Sequence, residues 1–226
     1  MAAHLLKLEA APDLVEQVYQ RLLDAISEGS LAPGQRITQE EIAEQLAVSR
    51  QPVLQALRLL KKDGFVLDAP GRGVLVAPLD VERMVAIYQV RGALDALAAR
   101  LAAQRRTKLD ARLVEHGRKA ARGKNVKAMI EADLAFHNAI YAACGNALIQ
   151  QTAHQHWHHL RRVMGAVLQQ SVQRTAVWDE HEAIARAIAA GDGERAARLI
   201  TEHSESASAN LARQLQQVLK TQGDKT

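Results

Sequence analysis

The sequence predicts a mainly α protein in two parts. A small N-terminal module of short helices closes with a β-hairpin, and a C-terminal all-α antiparallel helical bundle follows. Three observations predict this. Apolar residues make up 48% of the 226-residue chain and recur at helical spacing through most of it. Strand-like runs are confined to "FVLD" and "VLVA", separated by "APGRG". In "APLD", residues 77–80, Pro78 ends the second run and Asp80 can cap a new helix, which sets the parts as 1–78 and 79–226.

Asp13 and Glu16 form a capping-box pair, with Pro12 before it. The run "LVEQVYQRLLDAISEG" places Leu14, Val18, Leu22, Ala25 and Ile26 on one face, and Gly29 ends it. "LAPGQR" is a Pro-Gly turn. Thr38 and Glu41 repeat the capping box and open a short helix through "QEEIAEQL". After the tight turn "AVS", the Ser49 hydroxyl can accept a bond from an orphan backbone N–H. Pro52 falls in the first turn of that next helix, where its missing N–H costs nothing. "VLQALRLLKKD" then buries Val53, Ala56, Leu57 and Leu60 and stops at Gly64. Two short helices across so tight a turn make a helix-turn-helix, and the Gly-rich hairpin makes it a winged one.

This order of elements points to duplex DNA. At the exposed start of a recognition helix, Arg50 can fork onto a guanine edge and Gln51 can read an adenine. Backbone N–H groups there can hold a phosphate. Arg72 at the wing tip reaches minor groove or backbone, and Thr38, Ser49 and Arg58 complete the candidate contact set. The competing reading is that Ser49 and Pro52 merely start a helix and Arg50 is solvated. Charge alone does not decide the matter. The chain carries +4, yet residues 1–78 sum to −2 and residues 79–226 to +6, while residues 50–78 hold +3. An aromatic share of 3% argues against RNA modules that stack bases on exposed rings. A single cysteine, Cys144, excludes an internal disulfide and fits a reducing compartment. The first residues lack a signal peptide's apolar core, and no apolar run approaches the roughly 18 residues of a membrane span. A cytoplasmic protein is expected, with no membrane partner.

The stretch "LAPGQRITQEEIAEQLAVSRQPVLQALRLLKKDGFV", followed by "GRGVLVAP", strongly resembles the DNA-binding domain of GntR-type bacterial transcriptional regulators. The resemblance covers roughly residues 12–78. Leu54 stands where many relatives carry a DNA-contacting arginine, which implies a different operator preference or a weaker contact. Ala47 replaces a frequent turn glycine, which implies a turn without a positive φ.

Beyond Asp80 the reading is helical throughout. Segments run from about Val81 to Gln104, from Thr107 and Asp110 to near Gly123, and from Asn125 to Gly145. Others run from Ala147 to about Gln169, through "WDEHEAIARAIAAG", and over most of 194–219. Gly-rich phosphate loops and a GxSxG elbow are absent. In "EADLAFHNAI", Asp133 and His137 share a helical face bordered by Ile130, Leu134, Ile140 and Tyr141. His181 and His203 lie on apolar stripes, each 11 residues from Asp192 in the turn "AAGDGE". At about 1.5 Å per residue both stand roughly 16 Å from the turn, at one height on an antiparallel pair. If the Asp133/His137 helix packs beside them, one carboxylate and three imidazoles converge, a ligand set for Zn²⁺, Ni²⁺, Mn²⁺ or Fe²⁺. Simple Asp–His pairing and hydrogen-bonded core histidines are the alternative.

Residues 80–220 resemble the FCD effector-binding domain of FadR-like GntR regulators. "DLAFH" and "EHEAIARAIAAGDGERAARLITEH" match that family's metal motif at Asp133, His137, His181 and His203. The resemblance implies a small carboxylate metabolite held by the metal with help from a first-helix arginine, here Arg91. An ion pair with Asp95 is the competing role for Arg91. In "HQHWHH", His154 and His158 share a face with Gln151 and Arg161 and read as surface, as does His159. His156 aligns with Ile149, Leu160 and Val163 and is expected to meet the effector. The resulting expectation is a ligand-responsive regulator, not an enzyme, that acts as a homodimer on double-stranded operator DNA. A metal-dependent enzyme using the Asp/His₃ site, or an architectural DNA binder whose bundle only dimerises, are the rivals.

Overall fold

Helix α1 (Leu14–Glu28) forms around the stripe Val18, Leu22, Leu23 and Ile26, which it buries against α3 (Arg50–Lys62). The buried stripe starts one turn later than expected, since Leu14 remains 41% exposed. Among the described residues, α2 (Gln39–Gln45) completes the helices of the first unit. Its capping box is present: Thr38 Oγ1 accepts from the Glu41 N–H at 3.3 Å, and Glu41 Oε2 accepts from the Thr38 N–H at 2.9 Å. Val53, Ala56, Leu57 and Leu60 of α3 join Ile37, Ile42, Phe65, Val66 and Val76 in one apolar core. This computed structural model describes residues 14–168 and 175–223, so Asp13 of the pair expected with Glu16, Pro12 before it, and the helix end expected at Gln169 lie outside the described residues.

Two expectations about the turn are overturned. Ala47 has a left-handed backbone, φ 52°. The Ala47 N–H donates to the Glu44 carbonyl and the Val48 N–H to that of Ala43, and this closing of α2 requires a reversal of φ. Ser49 stands at the N-cap with extended backbone but makes no side-chain cap bond. An N-cap hydroxyl serves the second or third helical N–H, and here the third residue is Pro52, which has none.

The wing has three strands, one more than the sequence pattern predicts: β1 (Arg36–Ile37), β2 (Val66–Asp68) and β3 (Val74–Val76), in the order β1-β3-β2 and antiparallel. Gly73, φ 89°, lets β3 approach the Ile37 carbonyl, where any Cβ would collide.

The second unit, Leu79–Thr226, has its own core. It comprises α4 (Val81–Gln104), α5 (Arg112–Arg122), α6 (Val126–Cys144), α7 (Ala147–Val167), α8 (Ala176–Ala190) and α9 (Gly193–Gly223). Helix α4 is central and packs on α6, α7, α8 and α9. Asp80 Oδ1 caps it, Asn125 Oδ1 caps α6, and Gly145 and Gly191 end α6 and α8 in left-handed turns. The apolar core falls into two clusters along α4. One gathers Met84, Ile87, Trp157, Leu160, Leu211 and Leu215. The other gathers Ala98, Ala102, Phe136, Ile140, Ile184 and Ile200. The polar site lies at the helical levels between them.

Candidate metal and effector site

Between the two clusters, α4 contributes Arg91 and Asp95, α6 contributes Asp133 and His137, and α8 and α9 contribute His181 and His203. Arg91, Asp95, His137, His181 and His203 are all buried, with Asp95 and His181 at 0% exposure. The structure brings the four expected ligand residues together. One ligand atom from each of Asp133, His137, His181 and His203 lies within 4.8 Å of the others. The rings of His181 and His203 are 4.6 Å apart, as their equal distance from the α8–α9 turn requires. Asp133 Oδ1 lies 3.6 Å from His181 Nε2 and 3.9 Å from His137 Nε2.

The polar atoms here are under-satisfied. Both ring nitrogens of His137 and of His181 are buried without a hydrogen-bond partner. Native interiors rarely leave such groups unpaired. Burial, and then the Arg91 charge, hold the His137 pKa below its ordinary value. Burial and the neighbouring His203 and His137 push that of His181 well below. Neutral imidazoles with free lone pairs, beside one carboxylate, fit a divalent transition metal.

Two carboxylates outside the set flank it, and one of them orients a ligand ring. Glu180 Oε2 lies 2.8 Å from His203 Nδ1 and accepts a hydrogen bond from its N–H, which turns Nε2 toward the cluster as the ligand atom. Asp95 Oδ2 lies 3.4 Å from His137 Nδ1 and 3.4 Å from Arg91 Nε, and Asp95 Oδ1 accepts from the Tyr141 hydroxyl. Burial would raise the Asp95 pKa, but Arg91 and His137 hold it down to about 2. Burial would likewise discharge Arg91, and Asp95 with Tyr141 and Asp133 more than offsets it, so the guanidinium stays charged. Arg91 Nη2 also approaches Asp133 Oδ2 at 3.9 Å, and its Cζ lies 5.5 Å from the Trp157 ring. The expected pairing of Arg91 with Asp95 and its expected place at the site therefore coexist.

A cavity of about 220 Å³ opens beside the cluster, lined in part by Arg91, Asp133, His137, His203, Trp178 and Gln214. His156 is not among its lining residues, contrary to expectation. Helix α7 reaches the cavity at Met164, two turns and about 12 Å further along. His159, expected at the surface with its neighbours, is buried and sits 3.2 Å from Arg83 Nη2. His154 is exposed as expected and pairs with Asn138. Sequence reasoning missed Glu180 and the cavity end at Gln214. Glu180 has no spacing signal, because it precedes a ligand by one residue and reaches across to another helix.

In the first unit, Arg50, Gln51, Arg58 and Arg72 are all exposed. Arg50 makes a 3.2 Å surface ion pair with Glu40, and the Thr38 hydroxyl is engaged with Glu41. Arg36, a further wing cation, donates to the Arg72 carbonyl from Nε at 2.9 Å. Among the described residues no helix is long and apolar enough to cross a membrane.

Comparison with known proteins agrees with both units. Residues 14–76 match the family described as "Bacterial regulatory proteins, gntR family", and residues 86–206 match the "FCD domain". An uncharacterised HTH-type transcriptional regulator from an unstable DNA locus of Streptomyces ambofaciens is 29% identical, over 77% of this chain and 75% of that protein. The HTH-type transcriptional regulator LutR of Bacillus subtilis is 28% identical, over 79% of this chain and 92% of its own. The E. coli McbR/YncC structure covers 91% of this chain and 99% of its own at TM-score 0.74 and 22% identity, a likeness of fold. A GntR regulator structure from Rhodococcus sp. RHA1 gives TM-score 0.69 at 23% identity, over 87% of this chain and 96% of its own. The matched families and relatives are transcriptional regulators, not enzymes.

Proposed function

Given that the chain belongs to the GntR family of bacterial transcriptional regulators and carries an FCD domain, we propose that the bundle senses a small carboxylate metabolite at a metal-containing site and thereby alters operator binding. The observation that carries this is the convergence of Asp133, His137, His181 and His203 within 4.8 Å, beside the buried cation Arg91. These four residues would hold a Zn²⁺, Ni²⁺, Mn²⁺ or Fe²⁺ ion, which when bound supplies positive charge and open coordination positions for a carboxylate. Arg91 offers the same anion a planar fork of donors, kept charged by Asp95. Glu180 orients His203, and Asp95 places a negative charge beside His137.

The DNA-binding module reads a pseudo-palindromic operator as part of a cytoplasmic homodimer. Arg50 and Gln51 meet base edges at the start of α3, Ser49 and Thr38 meet phosphates, and Arg58 and Arg72 flank them. The effector acts by shifting population between bundle arrangements, with a coupling of about 1–3 kcal/mol.

Metal analysis of tag-free protein against the His181→Ala variant tests the sensor half. The wild type is expected to retain metal and the variant to lose it; equal metal in both, or none in either, removes the assignment. A thermal-shift screen of organic acids, followed by operator titration with the stabilising acid, tests the coupling. The acid must change operator affinity in the wild type and leave it unchanged in His181→Ala.

A further inference from the structure

The cavity beside the cluster has two chemically different ends. Arg91, Asp133, His137 and His203 make one end polar. The rest of the lining is mostly apolar, with Met129, Met164, Leu168, Val177 and Leu211, together with the Trp178 indole beside the cluster and the polar Ser204 and Asn210. The lining follows one stripe of α9 from His203 through Leu211 to Gln214. At about 1.5 Å per residue, Gln214 stands roughly 16 Å along that helix from His203. There Gln214 Oε1 is buried and has no hydrogen-bond partner. A compact hydroxy-acid would occupy the polar end and leave both the apolar walls and this acceptor unmet.

We propose that the site selects a monocyclic acid: a carboxylate on a six-membered aromatic ring, or a body of like bulk, with a hydroxyl or amino donor at the far side for Gln214 Oε1. The proposal rests on the acid-sensing reading of this site and adds a ligand class to it. Volume agrees. The cavity holds about 220 Å³, and a dry apolar cavity of about 150 Å³ accepts a benzene ring. The remainder suits a carboxylate and one small substituent. Trp178 and Met164 offer a ring the flat and polarisable surfaces it packs against. An unpaired buried acceptor favours a ligand that brings a donor over one that does not.

Isothermal titration of the zinc-loaded full-length chain tests this with six acids: phenylacetate, 4-hydroxyphenylacetate, benzoate, 4-hydroxybenzoate, lactate and citrate. At least one aryl acid is expected to bind more tightly than lactate and citrate. In that pair the hydroxylated member should win by about fivefold, the ordinary worth of one hydrogen bond. Gln214→Leu should erase this preference while the parent acid binds as before. The wild-type preference is informative by itself should that variant fold poorly. Equal affinity within both pairs, or a preference that survives in Gln214→Leu, overturns the role of Gln214. If lactate or citrate binds best and loses affinity in Arg91→Met, the ligand class falls while acid sensing stands. If none of the six binds to a protein of full zinc content, both fall.

Discussion

At Ala47 a side chain occupies a backbone region that glycine tolerates without cost, φ 52°. A left-handed L-residue loses about 1–2 kcal/mol, and the methyl group is exposed and packs on little. Ala47→Gly is therefore expected to stabilise the first unit by about 0.5–1 kcal/mol, since the added freedom of glycine in the unfolded chain takes back part of the gain. Urea unfolding followed by circular dichroism measures it; a destabilised variant would contradict the strain. The residue scale also shows where one-dimensional patterns fail. Asp133, His137, His181 and His203 were legible because helical spacing and equal distance from a turn fix their heights. Glu180 was not, since its 2.8 Å contact with His203 depends on how two helices meet. Its loss is expected to be felt by the metal alone. Glu180→Ala should weaken zinc binding by about tenfold, the lower end for an outer-sphere partner, with Glu180→Gln in between because its amide oxygen still accepts from Nδ1. Competition against a chromophoric chelator reads both. Unchanged zinc affinity in Glu180→Ala would show that His203 needs no such partner.

At the scale of elements, legibility followed the strength of local signals. Asp80, Asn125, Gly145 and Gly191 mark helix ends by their own chemistry, and the structure uses all four as caps. Strand β1 carried no such signal: two residues show no periodicity, and Arg36–Ile37 is a strand only because β3 pairs with it. Helix α4 departs differently. Four other helices pack on it, so its buried residues include Arg91 and Asp95 as well as the alanines. The α5–α8 contact was equally invisible, because it depends on an absent side chain. Gly117 is buried, and a Cβ there would overlap the indole of Trp178. Trp178 in turn lies 4.6 Å from the His181 ring. Gly117→Ala should thus cost about 1–3 kcal/mol, the usual range for overpacking. It should also reduce zinc affinity by displacing Trp178 toward the ligands. A melting curve and a zinc titration check the two effects, and a variant as stable as the parent would show that α5 can shift freely.

For the molecule as a whole, the decisive feature is that the two units keep separate cores. Phe65, Leu60 and Val53 close one, while Phe136, Ile140, Ile184 and Leu160 belong to the other unit. The order of motifs made this division readable, because a wing ending in proline cannot share a helix with the segment after it. Which partners complete the bundle's polar interior was not readable, since it depends on atoms left without hydrogen bonds. Those atoms lead to the last prediction. Four imidazole nitrogens, on His137 and His181, are buried without partners. An ion that takes the lone pair of one nitrogen on each ring in the folded state, and finds no such cage in the unfolded chain, stabilises by mass action. The gain is about 2.7 kcal/mol at a hundredfold excess over Kd and about 4.1 kcal/mol at a thousandfold. All four proposed ligands lie in the second unit. Scanning calorimetry should therefore resolve two transitions, and chelation should lower the midpoint of one and leave the other in place. Mutating His181 to alanine should abolish that sensitivity. A single transition that moves as a whole on chelation would mean that the two units unfold as one. Two transitions that both ignore the chelator would mean that the cluster holds no metal.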